Sequence, residues 1–229
     1  MSTMTNKMAA GLLAVLATTS SVASAETSLD ASVSVANLYL YRGLNLGGGT
    51  PAVSGDLVAS FDSGFYAGSW VGSGDTSWGS EVDLFAGWAG DWNDISLDVG
   101  AYTYYYPGYD DYDTVGSLSE LALSIGYSLF TVGYKEYVAG SKTNYATLGA
   151  EYEAFSVLAG WANAEEPQGQ DWSNDYGHVD VSYAFNERVS FTVSKVVHVS
   201  DEALEDGSVI SDDDVLFVVS YSLPIDLAL

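Results

Sequence analysis

The chain has no cysteine, only four prolines and only six lysines and arginines in 229 residues. Each shortage removes a class of protein. Without cysteine there is no disulfide, no structural thiolate metal site and no thiol nucleophile. Six basic residues against 31 acidic ones leave a formal charge of −25, which excludes an electrostatic grip on nucleic acid or on an anionic membrane surface. No apolar stripe at the 3.6-residue helical period runs for a useful length beyond the first 25 residues, so a helical bundle is excluded as well. Only Pro51, Pro107, Pro167 and Pro224 interrupt the chain, while glycine, tyrosine and tryptophan are abundant. The composition is that of an all-β protein of one ordinary domain.

The opening segment carries a lone Lys7, an apolar run from Met8 to Ala17 and a polar stretch ending in Ala23-Ser24-Ala25. That is the layout of a secretory signal peptide over residues 1–25, with small residues at Ala23 and Ala25 and a mature chain starting at Glu26. The apolar run is too short to span a bilayer as a helix. The leader takes Lys7 with it and no acidic residue, so the mature domain, 26–229, is more acidic still. Such a domain is either soluble after export or inserted in a membrane as strands.

The stretch from Leu38 to Gly72 shows the repeating unit. Val53, Leu57, Ala59 and Phe61 share one face at period two, with Ser54, Asp56 and Ser60 on the other. Asp62-Ser63-Gly64 then makes a tight turn into a second strand from Phe65. The first strand is read from Ser28 to Arg42, with Leu29, Ala31, Val33, Val35, Tyr39 and Tyr41 on its apolar face and Asp30, Ser32, Ser34 and Arg42 opposite. Asn45 to Pro51 is a glycine-rich loop. The alternation of short turn and long loop continues down the chain, with turns at Asp91–Asp94, Ser128, Glu153 and Asn186-Glu187. Longer loops fall at Pro107–Asp113, Ala139–Thr143, Asn163–Asp175 and Ser200–Asp214.

About twelve strands of roughly ten residues result, which predicts an outer-membrane antiparallel up-and-down β-barrel with short periplasmic turns and longer extracellular loops. Period two alone also fits a secreted sandwich, whose aromatics would be core. The asymmetry of the faces favours the barrel: opposite the apolar residues stand Gly, Ser, Thr and acidic groups with few lysines, as suits a wet lumen. Tyr39, Tyr41, Trp88, Trp92, Tyr134, Trp161 and Tyr183 sit near strand ends on the apolar faces, where interfacial aromatic girdles belong.

On strand parity the pore-lining candidates are Arg42, Asp56, Glu81, Asp83, Asp98, Glu120, Lys135, Glu151, His178 and Asp180. Arg42 points inward with Asp30 and is expected to meet a carboxylate such as Asp56 or Glu81. Inward carboxylates favour cations, so the expected partners are small hydrophilic solutes or cations inside, and outer-membrane lipid and lipopolysaccharide outside. His178 shares a face with Asp180 and Ser182, superficially an acid, base and hydroxyl, but residues two apart on a strand do not thereby form a triad, and no catalytic residue is assigned. Asp206, Asp212, Asp213 and Asp214 match no EF-hand spacing, so no metal and no cofactor is assigned either. Lys195 shares parity with the apolar Val193 and Val197; either it snorkels to lipid phosphate or a bulge before it flips the parity.

Tyr39-Leu40-Tyr41-Arg42-Gly43, Pro51-Ala52-Val53, Gly64-Phe65-Tyr66-Ala67-Gly68-Ser69-Trp70, Glu81-Val82-Asp83-Leu84-Phe85-Ala86-Gly87 and Tyr104-Tyr105-Tyr106-Pro107-Gly108 follow one another in the first half of the mature chain. In these pieces and their order the sequence resembles the TorF-type porin family, catalogued as Gcw_chp, a bacterial family of unknown function. Two features differ from the family pattern: the run Gly47 to Gly49 replaces a polar segment after Arg42-Gly43, and the end, Ser222 to Leu229, lacks a terminal aromatic. The resemblance implies an outer-membrane barrel forming a pore, with no settled substrate.

This reading predicts that the protein fractionates with the outer membrane and migrates with heat-modifiable mobility. Tags at Gly169 or Gly207 should be open to external protease while tags at Ser63 or Asn186 stay protected. Recovery as a soluble periplasmic monomer would contradict it.

Overall fold

The computed structural model describes residues 27–164, 175–200 and 214–227. The expected leader, the tag sites Gly169 and Gly207, and Asp206, Asp212 and Asp213 lie outside the described residues. Among the described residues the chain is strand, turn and loop, in fourteen β-elements. Twelve of them form the wall: β1 (Ser28–Ala36), β4 (Ala52–Ser60), β5 (Phe65–Asp75), β6 (Gly79–Trp92), β7 (Ile95–Tyr105), β8 (Leu118–Tyr127), β9 (Phe130–Ala139), β10 (Thr143–Tyr152), β11 (Phe155–Ala164), β12 (Tyr176–Ala184), β13 (Val189–Val199) and β14 (Val215–Ile225). Two short ones, β2 (Leu40–Tyr41) and β3 (Leu44–Asn45), pair only with each other.

Each wall strand pairs antiparallel with its neighbour, and β1 pairs with both β4 and β14, closing the barrel. Closure matters because an open edge would leave a row of unpaired N–H and C=O groups, which hydrocarbon cannot satisfy. Tight turns at one end let residues other than glycine take positive φ: Asn93 (54°), Ser128 (57°) and Glu153 (54°). These are the turns expected from sequence, and both ends of the described chain lie at the same end of the barrel as they do. An eleven-residue strand rises about 36 Å along its length, or about 26 Å along the axis when tilted by about 45°, the height of an apolar band spanning an outer membrane.

Parity along each strand sorts the side chains. On β8, Leu121, Leu123 and Ile125 are exposed outward, while Glu120 is buried and Ser124 and Gly126 share its face. On β6, Leu84 faces out, and Glu81 and Asp83 are buried inside. The molecule's exposed surface is thus apolar and its interior polar, the reverse of a soluble sandwich. Aromatics cluster around the tight-turn end: Phe65, Trp92, Tyr127, Phe130, Tyr152, Phe155 and Phe185 are all more than half exposed. Tyr134, Trp161 and Tyr183 also face outward.

Two members of the expected girdle do not. Tyr39 is 1 % exposed and Tyr41 is half-buried, both inside the barrel, because β1 ends at Ala36 and does not run on to Arg42. The cause is Asn37. Its backbone N–H donates to the Val219 carbonyl, its side-chain amide donates to the Phe217 carbonyl at 2.9 Å, and its Oδ1 accepts from the Val219 N–H at 2.7 Å. The asparagine side chain therefore takes over ladder bonds that the next residues would have made, and the backbone turns away from the sheet into the lumen. The loop expected over Pro107–Asp113 likewise runs further, since β8 begins only at Leu118.

Lys195 keeps its outward parity. The register between β12 and β13 shifts between Gly177 and His178, which pair with His198 and Val196, so Val197 is the additional residue. The bulge lies after Lys195 and not before it, and its effect is to turn His198 outward, where the ring stacks on Trp161 with centroids 4.9 Å apart.

If the apolar outer face meets hydrocarbon, Leu123→Arg should destabilise the folded barrel by about 2–4 kcal/mol in urea unfolding from lipid vesicles. A face that meets water would accept the same change with no loss and with higher solubility.

Candidate functional site

The segment that leaves the wall at Asn37 becomes a hairpin lying across the lumen. Its turn, Tyr41-Arg42-Gly43-Leu44, has φ of 48° at Arg42 and 82° at Gly43, the two positive values of a type I′ hairpin. Glycine is required at the second position for a further reason: a Cβ on Gly43 would sit 2.5 Å from Cβ and Cγ of His178. The Leu46 N–H donates to the Tyr39 carbonyl at 2.9 Å and the Thr76 N–H donates to the Leu46 carbonyl at 3.1 Å, fastening the hairpin base to the β5–β6 connection.

Apolar side chains anchor it on both flanks. Leu38 packs with Ala36 and Val218 near the β1–β14 seam, with Leu40 against them. Leu44 packs against Tyr145, Ala162, Tyr176, Val196 and Val199 on the wall from β10 to β13. The hairpin thus spans from one side of the lumen to the other.

Polar contacts fix the remaining faces. The Tyr39 hydroxyl donates to Glu81 at 2.6 Å, and its ring lies 6.1 Å from Trp70. The Arg42 guanidinium donates to Glu120 at 2.7 Å, and Lys135 reaches the other oxygen of Glu120 at 3.2 Å. The Tyr104 hydroxyl donates to the same carboxylate. Around the guanidinium stand the rings of Tyr145 (4.6 Å from its centre), Tyr41 (4.8 Å) and Tyr137 (5.7 Å), and Lys135 sits 4.8 Å from the Tyr102 ring. A planar cation enclosed by aromatic faces and bonded at one end to a carboxylate is an arrangement that arginine holds better than lysine.

The structure brings Arg42, Glu120 and Lys135 into one cluster, with Glu81 and Asp83 beside it on β6. Arg42 meets Glu120, not the expected Asp56 or Glu81, because it reaches the lumen as a hairpin tip and crosses to the far wall. Asp56 accepts from Ser32 and Asp98 from Tyr66, both nearer the tight-turn end, and Glu151 lies on the inward parity at that rim. His178 lies beside the hairpin tip, its Nε2 2.7 Å from the Tyr145 hydroxyl and its Nδ1 3.0 Å from Asp180. Ser182 bonds Thr192 instead, and the fully buried imidazole has no open approach, so the three residues do not form a triad. Asp83 Oδ1 and Ser194 Oγ are buried without a hydrogen-bond partner among the described residues, the condition that lumen water relieves. Of the tyrosines around Arg42, Tyr41 is expected on the outer face, and Tyr137 and Tyr145 escape the reading of single residues, although the parity of Tyr137 with the inward Lys135 is a signal for one of them.

At the long-loop end, Trp78 of the β5–β6 connection gathers three tyrosines of the β7–β8 connection into an aromatic cluster. Trp78 lies 4.8 Å from Tyr106, 5.5 Å from Tyr109 and 5.2 Å from Tyr112. Burial, the Asp111 carboxylate and Tyr109 together raise the Tyr112 phenol above its ordinary value.

Residues 20–202 match the family described as a bacterial protein of unknown function (Gcw_chp). No curated protein matches the chain. Among solved structures, a KdgM porin is similar at 9 % identity and a TM-score of 0.48, over 88 % of this chain and 100 % of that one. A KdgM porin in complex with disordered oligogalacturonate is similar at 8 % identity and 0.47, with the same coverage.

Glu120 answers two buried cations, so Glu120→Gln should destabilise the barrel by about 3–5 kcal/mol in urea unfolding, the cost of leaving buried charge uncompensated. Glu151→Gln, at the open rim, should stay within about 0.5 kcal/mol. Equal effects would show that the cluster does not hold the hairpin.

Proposed function

The chain belongs to the Gcw_chp family, and on that premise we propose that it is an outer-membrane porin-like channel, passing small hydrophilic solutes with a preference for cations. The outer-membrane location is supported by the closed wall, the apolar outward faces and the aromatic ring at the tight-turn end. The hairpin from Leu40 to Asn45 would form the narrowest section of the path.

The observation that carries the cation preference is the charge left inside the wall. Arg42 and Lys135 are both committed to Glu120, while Asp56, Asp98, Glu151 and Asp180 stand at other inward positions. A lumen of that balance holds a negative potential, which concentrates cations. No chemistry on the solute is assigned to it.

A second reading, a barrel that stabilises the envelope or binds a partner without conducting, is favoured by the hairpin itself, since it is tied to the wall at Glu81 and Glu120. Folded protein that gives no conductance steps in planar bilayers would select this reading.

For the channel, reversal potentials under a KCl gradient should report cation preference. It should be strongest in dilute salt, since the screening length falls from about 10 Å at 0.1 M to about 3 Å at 1 M. Replacing Asp56, Asp98 and Asp180 together by Asn should weaken it, and Asp214→Asn, in open water, should not. An anion-selective pore would contradict the proposal.

A further inference from the structure

At the long-loop mouth, above the hairpin tip, is a cavity of about 280 Å³. Its walls include Tyr41, Trp78, Tyr112, Tyr137 and Tyr176, with Arg42 also lining it. Three parts of the chain build it: the inward hairpin, the connections outside β5–β8, and the wall from β9 to β12. Ser141 and Thr143 add hydroxyls, 3.0 Å apart and bonded to each other, which leaves each further hydrogen-bonding capacity. The Tyr41 and Tyr137 hydroxyls, 3.3 Å apart, add another such pair. The Tyr112 hydroxyl donates to the Gly140 carbonyl at 3.0 Å, and Trp78 packs against Tyr112, so the aromatic walls are held in place before any ligand arrives.

Flat aromatic faces with polar groups at their edges suit a ligand that is itself a flat-sided ring with hydroxyls around its rim. Charge narrows the class further. A cation would find the Arg42 guanidinium and no carboxylate among the residues that line the cavity. An anion would find that guanidinium already engaged by Glu120, and would have to pass Asp110, Asp111 and Asp113 on the adjoining loop of a chain with a formal charge of −25. A neutral polyhydroxylated ring meets neither obstacle. The volume lies just below the usual range for ligand pockets, about 300 to 1,000 Å³, and so limits the occupant to one or two rings.

We propose that this cavity is a binding site for a neutral sugar, a mono- or disaccharide, stacked between Trp78 and the tyrosines. The site does not depend on conduction: a sealed barrel would bind the same sugar, and its failure would leave the channel reading standing.

The test is calorimetric titration of the full folded barrel in detergent with glucose and maltose, and with glucosamine and glucuronate as charged counterparts of similar size. Glucose or maltose should bind saturably with a dissociation constant on the order of 1 mM. The charged sugars should bind more weakly. Trp78→Ala and Tyr112→Ala should each weaken binding by roughly three- to tenfold, while Trp92→Ala, on the outer face at the other end, should leave it unchanged. Heat-modifiable mobility verifies that each variant is folded. Absence of saturable binding by both neutral sugars, tighter binding of either charged sugar, or affinity indifferent to Trp78 and Tyr112 would overturn the proposal.

Discussion

Glu120 meets two cations that come from different parts of the chain: Lys135 from the next strand of the wall, and Arg42 from a hairpin that starts on the opposite side of the barrel. A buried ion pair is seldom a net source of stability, because desolvation offsets much of the attraction, but breaking one is costly. Its value here is positional. One carboxylate fixes the hairpin tip against the far wall, and the aromatic rings around the guanidinium leave it little freedom to swing elsewhere. Gly43 completes the fit by letting the turn pass over His178.

The hairpin also resolves a conflict of sizes. A twelve-stranded wall encloses more space than its own inward Gly, Ser and Thr side chains fill. On the long-loop side that space is taken up by Tyr39, Tyr41, Arg42 and Leu44, and the buried residues of the molecule gather there. On the tight-turn side the lumen wall carries small hydroxyls and the carboxylates of Asp56 and Asp98. The barrel is therefore packed at one end and polar at the other, so any solute path is set by the residues of the hairpin and the charges that face it.

The wall was legible in the sequence because alternation along a strand is a local signal, and the tight turns at Asn93, Ser128 and Glu153 fall where polar residues interrupt it. The inward parity of Glu81, Asp83 and Glu120 could be read in the same way. The hairpin was not legible. Alternation falters at Asn37, which puts an amide on the apolar face with Ala36 and Leu38 opposite, but what makes that break the end of the strand is the pairing of the Asn37 side chain with Phe217 and Val219, some 180 residues away in the chain. Parity put Arg42 inward on a strand that in fact ends at Ala36, so its place in the lumen, like the carboxylate it meets, comes from the fold of the hairpin. Lys195 shows the same limit on a smaller scale: the register holds up to the lysine, so no bulge flips its parity, and the bulge that does occur, after it, depends on how β12 and β13 pair.

We propose that the inward hairpin sets the narrowest section of the lumen. The most direct test is single-channel conductance in planar bilayers, comparing the full chain with a variant in which Tyr39 to Leu46 is replaced by a short Gly-Ser linker and which keeps heat-modifiable mobility. A larger conductance for the variant is the predicted result, including the case in which the parent does not conduct at all. Equal conductance from the two proteins would contradict the account.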